Sequence, residues 1–243
     1  PRAMSDQAYP DALPSQYRLH WYVLKRVLGQ GGFGITYLAR DTHLEKDVAI
    51  KEYFPAADVA RTDGATVTLT NTQRTDEFQA GLDRFLKEAR TLAGFSHPNI
   101  VRVNRYFKAH GTGYMVMDYE EGQSLKEWLN VHPFPSEVVI KGFLAPLLDG
   151  IAKVHAAGFL HRDIKPDNIF VCANGTPVLL DFGSARAAGA ESEITVIVSP
   201  GYAPLEQYHA HGNQGPWSDL YALGGVLYWM VTGSHPLEAP ARA

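Results

Sequence analysis

His161-Arg162-Asp163-Ile164-Lys165-Pro166-Asp167-Asn168 sets five ionisable side chains and one amide between an apolar run ending at Leu160 and another beginning at Ile169. Burying that many polar groups without partners is costly, so the segment marks chemistry rather than packing. Two short apolar runs follow, Ile169 to Cys172 and Val178 to Leu180. They are joined by Asn174-Gly175, a pair that favours the tight turn of a β-hairpin. The second run ends in Asp181-Phe182-Gly183. Asn168 and Asp181 therefore flank one hairpin, and their side-chain oxygens can converge. Mg²⁺ takes a few carboxylate or amide oxygens and completes its shell with substrate phosphates. One Asp, one Asn and phosphate oxygens meet that demand.

Upstream, Gly29-Gln30-Gly31-Gly32-Phe33-Gly34 has the form G-x-G-x-x-G. Glycine lets backbone N–H groups come close to phosphate. A dinucleotide-binding reading needs a helix straight after the last glycine, whereas Ile35-Thr36-Tyr37-Leu38 reads as a strand. The motif is therefore expected to be a β-hairpin that covers phosphates. Val48-Ala49-Ile50-Lys51 lies on the next strand, where a lysine flanked by apolar β residues reads either as held in place to reach anionic oxygens under the glycine hairpin or as a surface lysine on an edge strand.

Around these motifs, Tyr22 to Leu28, Ile35 to Ala39, Val48 to Lys51, Ile100 to Phe107 and Tyr114 to Met117 read as strands. Glu77 to Ala93 reads as a helix, from Phe78, Leu82, Phe85, Leu86, Ala89 and Leu92 at steps of three and four; His97-Pro98-Asn99 breaks the pattern. Residues 53–80 are expected to form a short irregular insertion, with a hairpin signal at Asp63-Gly64. The character then changes to helices at Ser124 to Leu129, Pro135 to Ala157 and Ser218 to Thr232. Pro146 inside the second of these predicts a kink. A strand-rich part followed by a helical part implies two lobes, with a hinge near residues 118–122.

Composition agrees with an ordinary soluble globular protein. The chain is 45% hydrophobic and 20% charged, and its formal net charge of −4 gives no case for nucleic acid or an anionic membrane surface. The single cysteine, Cys172, cannot form an internal disulfide and reads as a core residue in a cytoplasmic protein. No apolar run reaches the ~18 residues of a membrane span. His209-Ala210-His211 offers too few ligands for zinc. Residues 1–16 read as a leader, with Pro1-Arg2-Ala3 ahead of Met4 resembling a cloning remnant.

The ordered set of glycine-rich loop, Val-Ala-Ile-Lys, His-Arg-Asp with its trailing Asn, and Asp-Phe-Gly resembles the eukaryotic-like Ser/Thr protein kinases. The resemblance runs over residues ~17–236. Gly-Phe-Gly-Ile-Thr-Tyr and Ile-Lys-Glu-Tyr-Phe-Pro further resemble bacterial members. It implies an α+β, two-lobed fold: an N-lobe at 17–117 with an antiparallel sheet and one helix, a hinge at 118–122, and a mostly helical C-lobe at 123–243. The family's last helices, and the basic residue expected to pair with Glu206, would lie beyond this chain.

The resemblance further implies that Leu28, Gly29, Gly31, Gly32, Gly34, Thr36, Ala49, Met117, Asp118, Tyr119 and Phe170 line the ATP site, with Lys51 on the α- and β-phosphates. The partner of Lys51 would be Glu88, with Glu77 as the alternative. Asp163 would accept the proton of the substrate hydroxyl, and Lys165 would sit beside the transferred phosphoryl. Asn168 and Asp181 would hold Mg²⁺, or Mn²⁺. Leu92, Val103, His161 and Phe182 would stack as a spine. The Lys-Pro-Asp sequence points to Ser/Thr rather than Tyr substrates, so the partners implied are ATP and proteins bearing Ser or Thr.

Residues 181–206 resemble an activation segment, with Ser192, Thr195 and Ser199 as candidate phosphosites and Arg162 as a cation for a phosphate there. Ser199 stands where the family usually has a Thr near the catalytic Asp, which gives it a structural reading as well. The chain departs from the pattern at Thr36, at Ala203-Pro204-Leu205-Glu206 with its extra residue, and in the enlarged segment 53–80. A pseudokinase scaffold and a small-molecule phosphotransferase of related fold are the alternatives.

Overall fold

The structure, a computed structural model, describes residues 9–182, 186–187, 198–209 and 212–242. The chain divides into two compact units. One runs to Gly94 and takes in Arg102–Tyr119; the other holds Phe95–Val101 and the chain from Glu120 onward.

The first unit is built on a six-stranded antiparallel sheet. Its strands are β1 (Arg18–Leu19), β2 (Tyr22–Gly31), β3 (Gly34–Asp41), β4 (Lys46–Tyr53), and, after an inserted hairpin of β5 (Val59–Thr62) and β6 (Thr66–Leu69) and helix α1 (Thr75–Ala93), β7 (Val103–Ala109) and β8 (Thr112–Asp118). The order across the sheet is β1-β2-β3-β4-β8-β7. Strand alternation separates two faces. One carries Ile35, Tyr37, Ala39, Val48, Ile50, Tyr114 and Val116, all buried in a core closed by Leu13, Val59 and Val67. The other receives α1, whose buried stripe is Gly81, Leu82, Phe85, Glu88, Ala89 and Leu92. Tyr53 packs there against Phe78 and Phe85, over Gly81, where a Cβ would fall 2.0 Å from the Tyr53 hydroxyl.

The second unit contains β9 (Gly122–Ser124), α2 (Leu125–Val131), α3 (Glu137–Ala156), β10 (Phe159–Leu160), β11 (Ile169–Cys172), β12 (Pro177–Leu179), β13 (Arg186–Ala187) and α4 (Pro216–Thr232). Ser124 and Glu127 form a capping box that starts α2. Gly233, at φ 69°, closes α4 with the left-handed cap glycine favours. β11 pairs with β12 on one side and β9 on the other, and Cys172 is buried on β11 as expected. Among the described residues no helix is long and apolar enough to cross a membrane.

Two expectations are corrected. Ile100 to Phe107 is not one strand: β7 begins at Val103, while Ile100 bridges Leu179 and the Val101 N–H donates to Leu179 O at 2.9 Å. One apolar run thus serves both units, which periodicity cannot divide. Segment 53–80 is not irregular either. β5 and β6 pair in register from Val59↔Leu69 to Thr62↔Thr66, with Asp63 and Gly64 at φ 50° and 73°, the positive values of a primed turn, and the Ala65 N–H donating to Thr62 O at 3.1 Å. A two-stranded hairpin is marginal alone; this one buries Val59 and Val67 in the sheet's core.

Candidate active site

In the first unit the glycine motif forms the tip of the β2–β3 hairpin, with Gly29↔Thr36, Gln30↔Ile35 and Gly31↔Gly34 paired. Leu28, Gly29, Gly31 and Gly32 all fall on this hairpin or its turn. Phe33 stands out at the turn, 71% exposed. The glycines differ in what requires them. A Cβ on Gly34 would fall 2.5 Å from the Glu52 carbonyl oxygen, whereas Gly29, Gly31 and Gly32 have no atom within 4 Å of where a Cβ would be. Protein packing explains Gly34, whereas the space over Gly29, Gly31 and Gly32 is open.

Cross-strand partners share a face. Thr36↔Lys51 and Ala49↔Met117 therefore place Thr36, Ala49, Lys51 and Met117 together, on the face that receives α1. Glu88 is buried on α1's inner stripe; Glu77 lies in the helix's first turn, where Arg74 donates to it at 2.8 Å. Leu92 and Val103 are also buried in this unit. Asp118, at the end of β8, accepts Lys46 Nζ at 2.8 Å and Asn104 Nδ2 at 2.7 Å. Partial burial raises its pKa, but these bonds outweigh burial and hold the carboxyl below the usual range. Its N–H donates to Arg102 O at 3.0 Å. Tyr119 follows, half-buried.

In the second unit, Asp163, Lys165, Asn168 and Ser199 form one hydrogen-bonded cluster. Lys165 Nζ lies 2.9 Å and 3.1 Å from the two Asp163 oxygens and 2.9 Å from Ser199 Oγ. Ser199 Oγ donates to Asp163 Oδ1 at 2.5 Å. Asn168 Nδ2 donates to Asp163 Oδ2 at 2.7 Å and to the Asp163 carbonyl at 2.9 Å. With its nitrogen so engaged, the Asn168 amide turns its oxygen away from Asp163. The Asn168 carbonyl accepts the Leu180 N–H at 2.9 Å, tying the loop to the residue before Asp181. Asp181 adopts φ 50°.

The donor set fits a hard cation that keeps ligand positions for phosphate. One carboxylate and one amide oxygen suit Mg²⁺ or Mn²⁺ completed by phosphate oxygens. Among the described residues no group of three or more His, Cys, Asp or Glu forms a self-sufficient metal site.

His161 Nε2 lies 3.0 Å from Leu180 O, and its ring packs 4.3 Å from that of buried Phe182. Phe170 on β11 pairs with Ser124. The Arg162 guanidinium donates through Nε to Gln214 Oε1 at 2.6 Å, and its carbonyl accepts from Gln207 Nε2 at 2.7 Å. Ser192 and Thr195 lie outside the described residues, as do Gly183, Ala210 and His211. Glu206 accepts from Ser218 Oγ at 2.8 Å, at the start of α4.

Sequence reasoning missed Asp219. This fully buried carboxylate accepts the N–H groups of His161 and Arg162 at 2.9 and 2.8 Å and lies 2.7 Å from His155 Nε2. Its only signal was an acid in the first turn of an otherwise apolar helix. Sequence reasoning also passed over Glu52, an acid inside an apolar strand.

This antiparallel sheet with one helix, joined to a helical part bearing the His-Arg-Asp loop, defines the protein kinase fold. The chain belongs to that family: its residues 22–243 match the protein kinase domain. The serine/threonine-protein kinase pkn2 of Myxococcus xanthus is 34% identical over 241 residues, which cover 95% of this chain and 26% of that protein. PrkC of Bacillus subtilis is 33% identical over 222 residues, 89% of this chain and 31% of that protein. Among solved structures, the apo form of PpkA-294 superimposes with a TM-score of 0.87 at 42% identity, covering 96% of this chain and 83% of that one. The chain spans 26% to 39% of the length of such curated relatives.

Proposed function

We propose that this chain is the catalytic domain of a Ser/Thr protein kinase, which transfers the γ-phosphoryl of metal-bound ATP to a protein hydroxyl. The observation that carries the reading is the cluster around Asp163. A carboxylate held by Asn168 and flanked by the Lys165 ammonium has what the reaction needs at its centre. Asp163 orients the hydroxyl and accepts its proton. Lys165 stabilises charge on the phosphoryl group as it moves. Phosphoryl transfer is dominated by such positioning and charge stabilisation.

Lys51 would hold the α- and β-phosphates, in a position fixed by the β4 register, and Glu88 would orient it. The glycine hairpin would cover the phosphates with backbone N–H groups. Ala49, Met117 and Phe170 would border the adenine. Asn168 and Asp181 would hold the divalent cation, which when bound neutralises phosphate charge. Autophosphorylation would fall on Ser192 or Thr195, because Ser199 Oγ is committed to Asp163 and Lys165.

The test is intact mass after incubation with Mg-ATP, for this chain and for Asp163→Asn. Phosphoryl-sized increments in the unaltered chain alone support the reading. Increments in both overturn the assignment of Asp163. Increments in neither, with a protein substrate present, count against an active kinase and favour a scaffold.

A further inference from the structure

The inserted β5–β6 hairpin reaches the sheet through one buried ion pair. Glu52 is 0% exposed and accepts four donors: the Tyr37 hydroxyl at 2.7 Å, the Tyr114 hydroxyl at 2.7 Å, and Arg61 Nη1 and Nη2 at 3.2 and 2.8 Å. Tyr37 stands on β3, Glu52 on β4 and Tyr114 on β8. A single carboxylate thus fastens three adjacent strands. Arg61 has further partners. Its Nε donates to Asp11 O at 2.8 Å, its Nη1 to Ala65 O at 2.6 Å, and its guanidinium lies over the Phe54 ring. The hairpin is tied to the β7–β8 turn as well, where the Val67 N–H donates to His110 O at 2.8 Å.

The position of this cluster gives it a functional consequence. Glu52 is the residue after Lys51, so strand alternation turns the two side chains to opposite faces of β4. The same stretch of backbone sets the glycine hairpin. The Glu52 carbonyl lies against Gly34, and the Phe54 N–H donates to Phe33 O at 3.0 Å, at the hairpin's tip. A buried ion pair adds little net stability over a well-packed apolar pair, because desolvation offsets the Coulombic gain. What the bidentate fork does impose is geometry.

We propose that Arg61 and Glu52 are positioning residues for nucleotide binding: the inserted hairpin acts as a brace that fixes β4, and through it Lys51 and the tip of the glycine hairpin. The inference rests on the kinase reading above, since only a phosphate ligand gives the placement of Lys51 and Gly31 a function.

The test compares the unaltered chain with Arg61→Met and Arg61→Lys, each below its melting temperature. A non-hydrolysable ATP analogue with Mg²⁺ is titrated to obtain Kd, and hydrogen exchange is followed at residues 28–34 and 46–54. Arg61→Met is expected to raise Kd roughly tenfold. Exchange should quicken at the glycine hairpin and β4 while that of α3 stays the same. Arg61→Lys, which keeps a cation beside Glu52, should recover part of the affinity. With turnover as the readout, KM for ATP rises and kcat at saturation holds, the sign of weakened ground-state and transition-state binding alike. Unchanged Kd and unchanged exchange in folded Arg61→Met overturn the brace and leave the kinase reading standing. No analogue binding by the unaltered chain overturns the kinase reading and the brace with it. If Arg61→Met does not fold, Glu52→Gln takes its place with the same readouts and outcomes, since it keeps the side-chain shape but sets a donor NH₂ in place of one acceptor oxygen, against Arg61 and one tyrosine hydroxyl, and so opens the ion pair.

Discussion

Asp219 Oδ1 accepts the backbone N–H of Arg162 at 2.8 Å, across 57 residues of sequence. With the second bond from the His161 N–H, it anchors the loop that carries Asp163 to helix α4. Arg162 sits at φ 68°, a left-handed conformation uncommon for a residue with a side chain and kept only where the surroundings hold it. Asp219→Asn replaces one acceptor oxygen with a donor facing other donors. The expected loss is about 2–3 kcal/mol of folding stability, read by chemical denaturation, together with a fall in phosphoryl transfer.

The same residue predicts a pH dependence. Burial works to raise the Asp219 pKa, but the bonds from His155 and the two N–H groups outweigh it and leave the carboxyl below the usual range. Folding therefore favours the ionised form. Its contribution is whole above the unfolded value of about 3.9 and is lost as pH falls through the lower, folded pKa. The stability difference between the unaltered chain and Asp219→Asn should be constant near neutrality and narrow below about pH 4. A difference that widens with acid would contradict the assignment.

Ser199 divides two readings of the segment before α4. Its hydroxyl donates a hydrogen bond to Asp163 and accepts one from Lys165. Ser199→Ala should slow transfer about tenfold, the worth of one bond to a charged group, and Ser199→Thr should keep the rate. Ser199→Asp sets a second carboxylate near Asp163, where charges about 4 Å apart repel by roughly 1–4 kcal/mol. It should be slower than Ser199→Ala in a steady-state assay. A faster Ser199→Asp would identify Ser199 as an activating phosphosite instead.

The parts of the fold that were legible from sequence are those with a strong local signature. The stripe from Phe78 to Leu92 made α1, Asn174-Gly175 made the β11–β12 turn, and Asp63-Gly64 marked the inserted hairpin. The Asp163, Lys165 and Asn168 cluster was legible because so many polar groups in one short run demand partners. What escaped depends on contacts distant in sequence. Glu52 looks like an ordinary strand charge until Arg61 and two tyrosines close around it. Asp219 gains its meaning only from the loop it receives. Ile100 and Val101 continue an apolar run, and only the pairing with Leu179 assigns them to the second unit.

The glycines of the β2–β3 hairpin provide a separation of structural from ligand-driven requirement. At Gly34 an added methyl meets the Glu52 carbonyl at 2.5 Å, a backbone atom that cannot swing away. Gly34→Ala should therefore lower the melting temperature and weaken nucleotide binding together, at a cost of about 1–3 kcal/mol for the forced backbone shift. At Gly31 the same methyl meets nothing within 4 Å, and the residue has no positive φ that demands glycine. Gly31→Ala should leave the melting temperature where it is, or raise it slightly by restricting the unfolded chain. Its effect should appear only when nucleotide is titrated, as a raised Kd, because the open space over Gly31 is then filled by phosphate drawn close to the backbone. Thermal melts with and without Mg²⁺ and a non-hydrolysable ATP analogue give both readouts. Equal ligand-induced shifts for Gly31→Ala and the unaltered chain would mean that the hairpin does not close over the phosphates.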